Sequence, residues 1–240
     1  MKKVYKFFNY LFCNPKKILL VLLIRLASIL PDKFFLQCRF ALELGYKLDL
    51  ENPQTFCEKL QWLKLYNRKD EYTKMVDKYL VKDYVKDLIG EEYIIPTLGV
   101  WNSFDEIDFN LLPNQFVLKT TNGGGGTGVV ICKDKVTFDI ETTRKKIIRS
   151  LNTSVYNTYK EWPYKNIKGR IIAEKFMMED VSEANPQGDL VDYKFFCFSG
   201  EVKAILIATN RYSRNGVCFD YFDKNFNIKK YLGGIWMKKR

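Results

Sequence analysis

The stretch Phe116-Val117-Leu118-Lys119-Thr120-Thr121-Asn122-Gly123-Gly124-Gly125-Gly126-Thr127-Gly128-Val129-Val130-Ile131-Cys132 decides the fold, because it sets five of the chain's fourteen glycines between two short apolar, β-branched runs. Those runs predict strands over 115–120 and 128–132. A Walker A loop needs Lys-Ser/Thr directly after its last glycine, and Val129 stands there instead. Gly123, Gly125 and Gly128 satisfy GxGxxG, but a dinucleotide fold needs a helix after the loop and a strand follows here. What is left is a hairpin with Lys119 at its base and a glycine flap, Gly123 to Gly126 with Thr127 and Gly128, whose bare amides can close over phosphates. Val130 completes the GxGxxGxV pattern of protein kinases, yet no His-Arg-Asp or Asp-Phe-Gly triplet occurs anywhere in the chain. The plain alternative is a flexible hairpin tip, which needs one or two glycines rather than five.

A phosphate flap implies further nucleotide contacts downstream. Ile171-Ile172-Ala173-Glu174-Lys175-Phe176-Met177 is an apolar strand ending in a carboxylate, a lysine and large apolar groups, a wall suited to an adenine; alone, it reads equally as an ordinary strand ending in a surface Glu-Lys. Asp192-Tyr193-Lys194 opens a second hairpin, with strands predicted over 193–198 and 202–208 joined by Ser199-Gly200. Arg211 and Arg214 follow that hairpin as cations that could meet phosphates. Further strands are predicted over 93–98 and 170–177. Upstream, Thr55 and Glu58 form a capping-box pattern ahead of Leu60, Trp62, Leu63 and Leu65. A helix is predicted over 70–89, with Gly90 as its stop and Tyr72, Val76, Tyr84 and Leu88 on a core face, and another over 139–151. Helices followed by hairpin-type strands make an α+β fold, with no internal repeat or low-complexity linker. The organisation is an N-terminal segment 1–40, a helical part 41–112 and a nucleotide-binding region 113–240.

Across its 240 residues the chain carries a net charge of +11 and contains no histidine. Without histidine there is no Ser-His-Asp triad, Cys-His dyad or HExxH zinc site. Six cysteines form no CxxC pair, and runs such as Phe195-Phe196-Cys197-Phe198 suggest reduced, buried thiols in a cytoplasmic chain. The positive charge sits at the ends: residues 1–40 hold eight basic groups against Asp32, and the last twelve residues hold five. Between them 26 basic residues face 27 acidic ones, so the body lacks the basic face that a nucleic-acid partner requires.

Between Pro15 and Pro31 runs an apolar segment interrupted by Arg25. As a helix it would be about 22 Å long, against roughly 30 Å of bilayer hydrocarbon. No small-x-small cleavage site follows it. Lysines and arginines beside leucines and aromatics suit a helix lying on an anionic bilayer, which would make a membrane surface a partner of residues 1–40 and place the protein at the cytoplasmic face of the plasma membrane. A helix packed on the protein's own body, or an anchor or signal, are the alternatives.

The order of these elements resembles an ATP-grasp enzyme. Asn52-Pro53-x-Thr55-Phe56-x-Glu58-Lys59-Leu60-Gln61-Trp62-Leu63-Lys64, Val76-Asp77-Lys78, Ile95-Pro96-x-Leu98-Gly99-Val100-Trp101, Phe116-Val117-Leu118-Lys119 and Asp192-Tyr193-Lys194-Phe195-Phe196 resemble the TupA-like ATP-grasp family over about residues 35–227. Its members serve bacterial cell-surface polysaccharide and teichuronopeptide synthesis and are often labelled glycosyltransferases. The resemblance implies ATP and Mg2+ held between two subdomains, with Lys119 and Lys194 on phosphates, Gly123, Gly124, Gly125, Gly126 and Thr127 covering them, and Glu174, Lys175, Phe176 and Met177 at the adenine. Asp192 would meet the ribose, and Arg211 or Arg214 the transferring phosphate. It implies an ATP-dependent ligase that activates a carboxylate as an acyl phosphate, acting on a carboxylate-bearing or saccharide precursor. Two features depart from the family. Its loop commonly reads Asn-His-Gly-x-Gly, whereas this one lacks the histidine, and its magnesium ligands lie on C-terminal strands that would follow residue 227, where no matching acidic residues occur. The chain is then either a shortened version of a longer product or a nucleotide-binding remnant. A glycosyltransferase with a nucleotide-sugar donor is the other enzyme reading, although its Asp-x-Asp motif is absent.

Overall fold

A computed structural model describes residues 15–181, 188–209 and 217–229. The apolar N-terminal segment is helical over Pro15–Arg25 (α1) and continues as turns, Leu26 N donating to Leu22 O at 3.1 Å and Leu30 N to Leu26 O at 3.1 Å. Pro31 then leads into α2, Asp32–Leu44, which sequence periodicity did not predict. Gly45 ends it in the left-handed region (φ 82°), its amide returning to Ala41 O at 2.9 Å. Ala27, Phe35, Leu36, Phe40, Leu48 and Leu50 form a buried cluster with Leu23, Leu30 and Leu65 packed around it. Leu23 of α1, with Ala27 and Leu30 from the turns after it, therefore packs on the protein's own body. Among the described residues, no helix is long and apolar enough to cross a membrane.

The capping box forms as the sequence requires. Thr55 Oγ1 accepts from Glu58 N at 3.2 Å and Glu58 Oε2 accepts from Thr55 N at 2.8 Å, starting α3, Phe56–Tyr66. One continuous helix over 70–89 does not form. It is split into α4, Glu71–Val76, and α5, Leu80–Ile89. At the break Asp77 turns extended (ψ 118°), and its Oδ1 accepts from Tyr79 N at 2.8 Å and Leu80 N at 3.0 Å, restarting the helix as an N-cap would. Nor does α5 present a core face, since none of its residues is buried and Tyr84 and Leu88 are exposed.

The first sheet contains β1 (Thr97–Trp101), β2 (Phe116–Thr120), β3 (Val129–Cys132) and β4 (Ile171–Lys175), in the order β1-β4-β2-β3 with every pair antiparallel. β1 starts four residues later than the predicted 93–98, because Glu91–Tyr93 is a 3-10 turn and Pro96 has no amide to give a ladder. The period-two alternation of β2 turns Phe116 and Leu118 into a core with Phe104, Ile107, Leu112, Cys132, Ile147, Ile171 and Ala173. Ile147 comes from α6, Ile140–Leu151, which Asp139 caps by accepting from Thr142 N at 2.9 Å. The short α7, Val155–Tyr159, ends with carbonyls taken up by neighbouring cations: Arg39 reaches Thr158 O, and Lys64 Nζ donates to Tyr159 O at 3.1 Å. Lys160, next in the chain, lies in the left-handed region (φ 53°) and is 2% exposed.

Contacts divide the chain into units Met1–Phe176 and Met177–Arg240. In the second unit β5 (Asp192–Phe198), β6 (Glu201–Thr209), β7 (Cys218–Phe222) and β8 (Ile228–Lys229) form an antiparallel meander, of which only the first two were predicted. Ser199 (φ 50°) and Gly200 (φ 81°) make the two-residue turn whose positive φ values match the strand twist. Cys197 is exposed rather than buried, as is Cys57; Cys132 is the buried thiol, and none of the described cysteines is bridged.

Candidate functional site

Lys119 is the penultimate residue of β2, on the sheet face opposite Phe116 and Leu118. Two register steps along the neighbouring β4 stands Glu174, paired across from Val117, so the two side chains share a face and Lys119 forms an ion pair with Glu174. Lys82, from α5, takes the other oxygen: its Nζ lies 2.7 Å from Glu174 Oε1 and donates to Ile95 O at 2.6 Å. Glu174 is only 5% exposed. A carboxylate so buried needs both partners, and their combined charge exceeds its own.

Lys78 occupies the break between α4 and α5. Its amide donates to Thr121 O at 3.3 Å and its ammonium donates to Gly123 O, so the first glycine of the loop is held from below. Burial lowers the Lys78 pKa from the usual lysine value, and the like charge of Lys119 lowers it further, against the attraction of Asp77 and Glu174. Asp77 is fully enclosed and faces Arg170, whose Nη2 is 3.7 Å from Asp77 Oδ2. The Arg170 guanidinium stacks over Tyr79 at 4.7 Å, and its backbone is fixed to Thr121 by Thr121 N to Arg170 O at 2.9 Å and Arg170 N to Thr121 Oγ1 at 3.1 Å. Four cations, Lys78, Lys82, Lys119 and Arg170, thus surround two carboxylates at the root of the glycine loop.

The glycines divide the labour of the hairpin. Gly125 (φ 58°) and Gly126 (φ 78°) form an open tip in the left-handed region, where any other residue is strained. At Gly128 a Cβ would run into Thr120 Oγ1 and Ser150 Oγ, which bond each other at 2.7 Å in the interior. The amides of Gly124, Gly125 and Gly126 donate to no group among the described residues, while Thr127 folds back, its N and Oγ1 reaching Gly124 O at 3.2 and 2.9 Å. Surplus positive charge beside unpaired loop amides is a donor set for phosphate oxygens.

The structure brings Lys119, Glu174 and the loop Gly123 to Gly128 together. Lys175 is exposed and Phe176 half-buried at the end of β4. In the second unit Met177 is exposed, and Lys194 Nζ pairs with Asp192 Oδ2 at 2.7 Å across one face of β5, a half-exposed pair worth about 0–1 kcal/mol. Arg211 and Arg214 lie outside the described residues. Sequence motifs singled out Asp77-Lys78 without giving it a role and passed over Lys82 and Arg170; an aspartate and lysine interrupting an otherwise helical pattern was the signal available. Among the described residues no group of three or more His, Cys, Asp or Glu side chains could hold a metal ion, and Glu174 and Asp77 are both engaged by cations, so this site does not fit magnesium. A cavity of about 320 Å3, lined by Ile131, Lys133, Asp134, Thr137, Phe138 and Asp139, opens at the end of β3 remote from the loop.

No curated protein matches the chain. Among solved structures, the crystal structure of D-alanine-D-alanine ligase from Helicobacter pylori is similar over 76% of this chain and 46% of its own, at 20% identity and a TM-score of 0.28. The chain therefore spans just under half the length of that ligase, and the superposition is too loose to transfer residues. The family model described as TupA-like ATPgrasp matches residues 58–232, from the capping-box glutamate through both sheets. With well over half its length matched, the chain belongs to the TupA-like ATP-grasp family.

Proposed function

We propose that this chain binds ATP and acts as an ATP-grasp-type ligase in bacterial cell-surface polysaccharide biosynthesis, activating a carboxylate on a saccharide or peptide precursor. The observation that carries it is the excess of buried and half-buried cations at the root of a glycine loop whose tip amides are unpaired. In this reading Lys119 and Lys78 neutralise phosphate oxygens and the amides of Gly124 to Gly126 close over them. Lys82 holds Glu174 in place, which in turn aims Lys119. Lys175 and Phe176, at the end of β4, would meet the adenine, and the family resemblance is what assigns Met177 to the adenine, Asp192 to the ribose and Lys194, Arg211 and Arg214 to the transferring phosphoryl group. The substrate carboxylate attacks the γ-phosphorus, the bond from that phosphorus to the β,γ-bridging oxygen breaks, and ADP leaves. An amine or other nucleophile then attacks the acyl carbon, phosphate departs, and the nucleophile gives up its proton. No step is assigned to magnesium, since the carboxylates described here do not fit it. Such chemistry takes place where nucleotides are available, at the cytoplasmic face of the plasma membrane.

Thermal unfolding with and without ATP tests the binding claim. Saturating ATP raises the melting temperature by several degrees, and Lys119→Ala removes most of that rise. Absence of a shift with ATP overturns the proposal, and a larger shift with nucleotide sugars than with ATP replaces it with a glycosyltransferase.

A further inference from the structure

The outer side of α1 is not explained by nucleotide chemistry. Leu23, Ala27 and Leu30 point into the body. Beside these, Leu19 and Leu22 of α1 and Leu26 and Ile29 of the turns that follow it form a second apolar stripe, and all four are exposed, Ile29 to 75%. Val21 and Phe34 are exposed as well. A contiguous aliphatic band of this kind marks a surface that meets something.

The charges around the band are of one sign. Lys16, Arg25 and Lys33 border it, all exposed. Asp32 is the acidic residue of this segment, and its carboxylate is turned inward: Oδ2 lies 2.8 Å from Arg68 Nη2, Oδ1 lies 3.1 Å from Lys160 Nζ, and Tyr156 donates its hydroxyl proton at 2.7 and 2.8 Å. A second copy of the chain across a twofold axis would bring the same cations against each other. Anionic lipid headgroups complement them, while the leucines enter the acyl boundary and the long basic side chains reach back to the phosphates. The eleven residues of α1 span about 16 Å, half of a bilayer's hydrocarbon, so the helix lies in the plane of the interface.

We infer that the stripe Leu19, Leu22, Leu26 and Ile29, flanked by Lys16, Arg25 and Lys33, docks this protein on an anionic bilayer surface. The site is remote in sequence from the nucleotide cluster, and its test does not depend on ATP. The full chain is sedimented with vesicles of equal parts phosphatidylglycerol and phosphatidylcholine, and with phosphatidylcholine alone. Binding to the mixed vesicles is expected, weakening as salt screens the headgroups. Arg25→Gln/Lys33→Gln lowers partition by about thirtyfold, from roughly 1 kcal/mol for each basic residue near the surface. Leu26→Ser/Ile29→Ser also lowers it, at exposed sites where folding is preserved; unchanged thermal unfolding verifies this for both variants, and the charge variant decides if the stripe variant melts early. Equal sedimentation with phosphatidylcholine alone, no sedimentation, or undiminished binding by the folded variants overturns the inference. So does a wild-type dimer on a sizing column that the stripe variant abolishes without vesicle binding by either.

Discussion

Replacing Lys160 with methionine removes a buried ammonium from a polar cluster of the first unit. Lys160 Nζ donates to Ala27 O at 2.6 Å, pairs with Asp32 at 3.1 Å, and sits 5.0 and 5.4 Å from the rings of Tyr156 and Phe35. Breaking a buried ion pair by deleting one partner costs about 3–5 kcal/mol. Asp32 keeps Arg68 and Tyr156 and is partly accessible, so the lower end applies, about 3 kcal/mol. For a unit of this size that lowers the melting temperature by about 6–12 °C. Three of the four tryptophans, Trp62, Trp101 and Trp162, lie in the first unit, so most of the fluorescence signal follows its unfolding even if the second unit melts separately. The pH dependence gives a second readout. Burial pushes the Asp32 carboxyl up, but hydrogen bonds from Tyr156, Lys160 and Arg68 outweigh it and leave the pKa below the usual carboxylate value. A depressed carboxylate contributes stability above its unfolded pKa of about 3.9 and loses it as pH falls through the folded pKa, so wild-type protein weakens steeply below about pH 4 and Lys160→Met less steeply. Destabilisation under about 1 kcal/mol with an unchanged acid limb would refute the reasoning.

Three further outcomes follow from the geometry. Gly128→Ala forces a methyl onto the Thr120–Ser150 hydroxyl pair and costs about 1–3 kcal/mol, whereas Gly125→Ala, in open space, costs only the left-handed penalty of about 1 kcal/mol; urea midpoints that rank them the other way contradict the packing. Since Lys78 loses its proton below the usual lysine value, ATP affinity measured by calorimetry falls as pH rises through that range, and Lys78→Arg removes the fall because guanidinium stays charged. Thr55→Ala deletes the cap of α3 and costs about 1 kcal/mol of thermal stability, with Thr55→Ser restoring most of it; equal loss in both variants would show that the hydroxyl is not the cause.

Local chemistry made much of this protein legible. A capping box is written within four residues, a two-residue turn needs Ser199-Gly200, and the alternation of Phe116, Leu118 and Thr120 specifies which face of β2 goes in. Helical periodicity continues across the break after Val76, so the pattern predicted a single helix and Asp77-Lys78 was the local sign against it. What stops the helix there is Arg170, nearly a hundred positions away, facing the Asp77 carboxylate while Lys78 turns toward Thr121 and Gly123. For the same reason α5 resembled a buried helix by its pattern yet leaves Tyr84 and Leu88 in solvent.

The sequence by itself determined that a lysine stands before a glycine hairpin, that histidine chemistry is absent, and that the basic excess belongs to the ends, since composition and nearest-neighbour backbone preference suffice for each. Only the tertiary structure decided which charges share a site. Glu174 is an unremarkable strand residue until the antiparallel register of β2 and β4 sets it on the face of Lys119 and α5 delivers Lys82 to its other oxygen. Likewise α1 is apolar on all sides in sequence, and only its packing on α2 separates an inner side that stabilises the fold from an outer stripe left for a partner. Burial and pairing act over distance in space, so the same residues carry different free energies according to neighbours that no local pattern names.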